Sequence, residues 1–235
     1  MPINIAGTTL DTLQIKYRNE LNTIDSGLIL YLDAGITSSY SGTGNVWYNF
    51  MGNGIDGNLI NGPIYSSNNS GIIRFDGVDD YIDFGNTAAS FSPNNITVSS
   101  FSQISAVVSK NNLLSLNGQI NFFLPGNRLG NTYLLYWDSV SSWRNGNTLT
   151  WSNNTWYNFA WTVNGTELKF YVNGVLDGTV SLAANITPSG NLRVGLANAG
   201  EYATGNISSV YVYNRTLTQT EIQQNFNSAR KRFNI

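Results

Sequence analysis

From Ser26 onward the chain falls into short runs of β-branched and aromatic residues, each closed within a few positions by Gly, Asn or Asp. Such a cadence cannot build a helical bundle and suits many short strands joined by tight turns. The runs lie at 27–33, 72–75, 81–84, 96–104, 106–109, 133–137, 156–163, 168–172, 175–180, 192–196 and 207–213. Asn173-Gly174 between two of them is the strongest short hairpin signal, because both residues tolerate positive φ. Asp76-Gly77-Val78-Asp79-Asp80 reads as a second turn. With 34 asparagines and 23 glycines, turn formers are plentiful, and 13% aromatic residues exclude a disordered polar chain. The expectation is an all-β sandwich or barrel, and 235 residues fit one such domain.

One helix is expected near the C-terminus, at about 218–231. Thr218 and Glu221 have capping-box spacing, and Ile222, Phe226 and Ala229 then recur along one face. Arg230, Lys231 and Arg232 fall where cations favour the negative end of a helix dipole. Residues 1–26 differ from the rest. Leu13, Ile15 and Tyr17 alternate as in a strand, whereas Leu10, Leu13, Tyr17, Leu21 and Ile24 suit a helix. The segment is read either as an edge strand or helix packed on the domain at 27–235 or as an N-terminal arm that attaches it to a partner.

The charge balance removes whole function classes. Twelve basic and 14 acidic side chains leave a net charge of −2, without the basic face that phosphates require, so no nucleic-acid partner is expected. The absence of cysteine excludes disulfides and thiol chemistry, and the absence of histidine removes the commonest general base and zinc ligand. The first ten residues lack a basic, apolar leader pattern, and no run is long enough for membrane insertion. Assembly of a particle in a host cytoplasm would meet those conditions.

Three segments together carry a resemblance. They are Ile73-Arg74-Phe75-Asp76-Gly77-Val78-Asp79-Asp80-Tyr81-Ile82-Asp83, then residues 155–162 with Leu168-Lys169-Phe170-Tyr171-Val172-Asn173-Gly174, and Gly205-Asn206-Ile207 through Val210–Thr218 with Glu221-Ile222. In this order they resemble the concanavalin A-like lectin/glucanase superfamily, in its laminin G-like branch. The resemblance implies two antiparallel sheets stacked as a jelly-roll sandwich. Residues 27–35 and 40–49 are similar to the opening of laminin G-like domains in structural proteins of tailed phages. There Asn49-Phe50-Met51-Gly52-Asn53-Gly54 stands where that group tends toward D-x-S-G-N-G, so the Asp and Ser are missing.

Because that superfamily includes glucanases, hydrolysis has to be weighed. It needs two carboxyl groups facing each other across a cleft, about 5–9.5 Å apart. Glucanases of this fold carry E-x-D-x-x-E on one strand, whereas this chain has only Glu20, Glu167, Glu201 and Glu221, none in that pattern. No enzyme is expected. Asp76, Asp79, Asp80 and Asp83 form the densest acidic cluster, which either builds its own turn or offers calcium hard oxygens with Asp76 foremost. No other cofactor is expected.

For glycan binding, flat aromatic faces stack on sugar C–H groups while Asn and Arg read hydroxyls. Trp137, Trp143, Arg144 and Asn145 supply those ingredients. Trp137 closes a strand run, and Trp143 lies in a Ser- and Gly-rich stretch read as a loop, where it either meets a ligand or folds onto the sandwich edge or a subunit contact. Trp156 and Trp161 belong to a strand motif and are read as core, while Trp47 is left open. The leading expectation is a non-enzymatic phage virion surface protein, a capsid decoration or an appendage component. It would be a homo-oligomer contacting other capsid or tail proteins, with a host-surface glycan as candidate ligand. A free-standing lectin or adhesin is the alternative, and a glycan hydrolase the third.

Overall fold

The computed structural model describes residues 23–105, 111–117, 119–128, 131–183, 187, 189–197 and 200–235. Leu10, Leu13, Ile15 and Tyr17 of the expected arm lie outside them, as does the run at 106–109. Among the described residues there are sixteen strands: β1 (Leu28–Asp33), β2 (Val46–Trp47), β3 (Gly57–Ile60), β4 (Ile64–Ser66), β5 (Ile72–Asp76), β6 (Tyr81–Asp83), β7 (Asn95–Ile104) and β8 (Asn111–Leu116). They continue as β9 (Ile120–Arg128), β10 (Asn131–Asp138), β11 (Ser142–Asn145), β12 (Thr155–Asn164), β13 (Glu167–Val172), β14 (Val175–Ser181), β15 (Leu192–Val194) and β16 (Thr204–Tyr213).

The strands form two antiparallel sheets that make a sandwich. The first runs β14-β13-β12-β7-β16-β5-β4, with β1 also paired to β16, and the second runs β11-β10-β9-β8-β15-β6-β3-β2. Between them lies the main core, where Trp47, Phe75, Phe122, Phe159, Trp161 and Phe170 are fully buried. Alternation sets this arrangement: Phe122, Leu124, Leu134 and Tyr136 turn inward while their neighbours turn out. Both residues of the Asn173-Gly174 turn have positive φ, at 50° and 76°, so the expected hairpin forms between Val172 and Val175.

Six strands depart from the expected runs: β2, β3, β4, β8, β9 and β11. In β9 the breaker pair Pro125-Gly126 is accommodated by a register shift, where Leu124 and Pro125 together stand opposite Leu134 of β10. A bulge is where a strand can hold a proline that donates nothing to the ladder.

The outer face of the first sheet is covered by the helix α1 (Gln219–Ala229) and the 3-10 turn Arg230–Phe233. Phe233 stacks on Phe101 at 4.7 Å and rests against Trp156 at 4.6 Å, with Ile222 buried beside them. The capping box forms as expected: the Thr218 side chain accepts from the Glu221 N–H, and Glu221 accepts from the Thr218 N–H. A bidentate contact with Arg215, aided by those donors, pulls the Glu221 carboxyl down to about 2.

The basic triplet does more than complete a helix end. Arg232 donates to both carboxylate oxygens of Asp33 at 2.7 and 2.9 Å and to the carbonyls of Gly71 and Asn69. It thereby ties the C-terminus to β1 and to the loop before β5. Gly71 must be glycine here, since its φ is 135° and an added Cβ would lie 2.1 Å from the Ala34 carbonyl oxygen. Residues 23–26 dock on the same side: the Ile24 N–H donates to Asn225, and the Ile24 carbonyl accepts from the Tyr213 hydroxyl. At the glycine-rich opening, Asn49 supplies the polar contacts, accepting from the Tyr31 N–H and donating to the Ile29 carbonyl and to Asn53.

Candidate functional site

The stretch read as a loop is a β-hairpin. Asp138 ends β10 with its carboxylate accepting from the N–H groups of Val140 and Ser141, and Ser142 turns the chain at a φ of 62°. β11 then returns in register, placing Trp143 directly opposite Trp137. Residues opposite each other in an antiparallel pair share a face. Because Tyr136 turns into the core, both tryptophans project from the outer face of the second sheet.

Both rings are half-buried on an apolar footing. Phe123, Leu135 and Ala197 are buried there, and Tyr133, Trp137 and Trp143 pack around them. The Phe123 and Trp143 ring centres are 5.1 Å apart. Phe123 and Tyr133 were not singled out from the sequence; the alternation of Tyr133, Leu135 and Trp137 along β10 is the signal that finds Tyr133. Phe123 is hidden by the proline two residues later.

Polar groups follow the same face away from the tryptophans. The register runs Trp143, Trp137, Asn121, Ser115, Arg193 and Asp83 across successive strands. Arg193 donates to Asp83 at 3.1 Å, and Asn191 donates to both oxygens of the same carboxylate. Asn112 stands opposite Phe123, fully buried, and neither atom of its amide has a hydrogen-bond partner among the described residues.

The other predicted glycan readers separate. Arg144 lies opposite Tyr136, hence off the tryptophan face, and its guanidinium donates to the carbonyls of Ser181, Ser141 and Trp143. It fastens β11 to the edge of the other sheet at β14. Asn145 lies opposite Leu135, on the aromatic face, with its amide donating to the Gly146 carbonyl. Trp161 is in the main core as read, Trp156 lies under the C-terminal turn, and Trp47 is fully buried.

The acidic cluster is split. Asp76, Asp79 and Asp80 bring carboxylate oxygens within 4.8 Å of one another, whereas Asp83 belongs to the outer face of the second sheet. Asp76 accepts from the Val78 and Asp79 N–H groups, which holds its carboxyl below the usual range. Burial, with the Asp76 carboxylate close by, raises Asp80. Three hard oxygens suit calcium in kind, while the turn already employs Asp76. All three sit in one tight turn, so they do not form the facing pair that glycoside hydrolysis uses. Elsewhere Glu167 pairs with Lys169, Glu221 with Arg215 and Asp33 with Arg232, and Asp177 accepts from the Asn147 and Thr148 N–H groups.

A sequence model of the Concanavalin A-like lectin/glucanases superfamily matches residues 76–223, well over half of the chain. No curated protein sequence matches it. The fold is similar to domain 4 of AbnA, a GH43 extracellular arabinanase from Geobacillus stearothermophilus, in complex with arabinotriose. That likeness has a TM-score of 0.70 at 17% identity, covering 88% of this chain and 100% of the other. It is also similar to Trypanosoma rangeli sialidase, with a TM-score of 0.61 at 19% identity over 95% of this chain and 39% of the sialidase. A heptameric SAP-like pentraxin from Limulus polyphemus gives 0.53 at 16% identity, covering 65% and 79%.

Proposed function

The chain belongs to the concanavalin A-like lectin/glucanases superfamily, and from that premise we propose that it is a non-hydrolytic glycan-binding protein displayed on the surface of a phage particle. The cross-strand pair of Trp137 and Trp143 carries the binding part of this reading. Two indoles side by side, each partly exposed on the outer face of the second sheet, offer the apolar platform on which sugar rings stack. Asn145 flanks that platform. The arabinotriose bound to the arabinanase domain supports a saccharide as ligand for this shape of molecule and supplies a first soluble probe. Against hydrolysis stands the engagement of Glu167, Glu221 and Asp33 in ion pairs.

The test is a glycan array and an arabinotriose titration with full-length protein. Wild type is expected to bind without releasing reducing ends, and binding should survive a chelator, since the turn at Asp76 that would hold calcium is a separate feature. Trp137→Ala with Trp143→Ala should weaken it by about 5- to 150-fold, from roughly 0.5–1.5 kcal/mol per aromatic contact. Silence of the wild type, or an unchanged double variant, would overturn the reading.

The particle setting rests on the likeness of residues 27–35 and 40–49 to phage structural proteins, with residues 1–26 as the attachment segment and a homo-oligomer as the assembly. Mass spectrometry of purified particles is expected to find the chain at many copies. Its recovery only in the particle-free fraction would leave the free-standing lectin as the better account.

A further inference from the structure

The aromatic face belongs to the second sheet, but the first sheet carries a groove of its own. It has a volume of about 470 Å³ and runs across β4, β5 and β16 toward the segment before β12. That volume lies within the range of small-ligand sites. Ile64, Arg74, Asn206 and Gln103 stand opposite one another in register across four strands. Ile73 and Phe75 turn into the core, so Arg74 and its row face outward. The row continues into Trp156, which rests against Phe233.

Arg74 differs from the other arginines whose side chains are described. Arg144, Arg193, Arg215, Arg230 and Arg232 all donate to carboxylates or carbonyls. Arg74 makes no hydrogen bond or ion pair with any described residue. Asp76 lines the same groove two positions further along the same strand face, and no ion pair joins the two. Asn206 commits its amide N–H to Gln103 at 2.6 Å, which leaves its oxygen as an acceptor. At the far wall, Ile64 is 61% exposed and offers an apolar surface.

We propose that this groove is a second saccharide site, specific for a neutral sugar presenting adjacent hydroxyls. Arg74 donates to one hydroxyl oxygen, the Asp76 carboxylate and the Asn206 oxygen accept from its neighbours, and Ile64 covers the apolar C–H face of the ring. The ligand is neutral because Asp76, with Asp79 and Asp80 close by, repels an anion that Arg74 alone would attract. The site stands on the opposite sheet from Trp137 and Trp143 and does not depend on them.

A neutral-oligosaccharide array with full-length wild type, Trp137→Ala/Trp143→Ala and Arg74→Ala tests this. The tryptophan variant should keep a subset of the wild-type glycans, and Arg74→Ala should lose that subset by tenfold or more. Should Arg74→Ala lower the melting temperature, Ile64→Asp at the exposed wall is read in its place and should lose the same subset. An Arg74→Ala pattern identical to wild type overturns the groove alone, as does a tryptophan variant that retains nothing. A silent wild type overturns both sites.

Discussion

Arg232→Ala is expected to destabilise the fold by about 3–5 kcal/mol, the usual cost of removing one partner from a buried ion pair. Asp33 is only 4% exposed, and in the variant its carboxylate would keep the Gly35 N–H at 2.7 Å but no cation. The carbonyls of Gly71 and Asn69 would lose their donor as well, and unpaired buried carbonyls add to the cost. Denaturant unfolding at neutral pH would show the loss as a lower midpoint at unchanged slope. The companion change Asp33→Asn in the Arg232→Ala background should recover part of it, because an amide is cheaper to bury alone than a carboxylate. A loss below about 1 kcal/mol for Arg232→Ala would place this pair with solvent-exposed ones and would remove its role in holding the C-terminus to β1.

That pair also marks the boundary of what the sequence discloses. The capping box at Thr218 and Glu221 and the turn at Asn173-Gly174 are local, written in residues a few positions apart, and both form as read. Arg232 sits where a helix-dipole cation is expected, yet its partner is 199 positions away and no spacing announces it. The strands that were read share the alternation or apolar density that packing between sheets requires. β9 escapes because Pro125 is a strand breaker except at a bulge, and a bulge is visible only once the partner strand is known. β11 escapes for the opposite reason: Ser142, Trp143, Arg144 and Asn145 are polar enough for a loop, because an edge strand needs little buried surface.

The same distinction governs the site. Trp137 and Trp143 are identifiable from residue type and polar surroundings, but their pairing depends on the register of a hairpin anchored by Asp138. Arg144 is their sequence neighbour and faces the other way, since successive strand residues alternate. Asn112 and Phe123 join the face from β8 and β9, where register shifts interrupt the alternation that would announce them. Sequence proximity is therefore a poor guide to membership of a sheet face.

Trp161→Ala should have an effect as large as that of Arg232→Ala, about 3–5 kcal/mol, and Trp143→Ala far less. Both residues are tryptophans on strands, yet Trp161 is 0% exposed between the sheets with Phe122 in edge contact at 5.8 Å. Truncation there opens a cavity that neighbouring strands cannot close. The Trp161 indole N–H is itself buried without a hydrogen-bond partner among the described residues. Trp161→Phe removes that donor while keeping an aromatic ring, so it should recover most of the stability lost in the alanine variant. Trp143 is partly buried on the outer face, and its removal uncovers part of Phe123 without opening a cavity between the sheets. Thermal or denaturant unfolding of the three variants gives the comparison. If Trp143→Ala proved as destabilising as Trp161→Ala, the outer aromatic face would be a second core and not a binding platform. The expected order, with Trp143 cheap to remove and glycan binding weakened with it, separates the tryptophans that hold the sandwich together from those placed to meet a ligand.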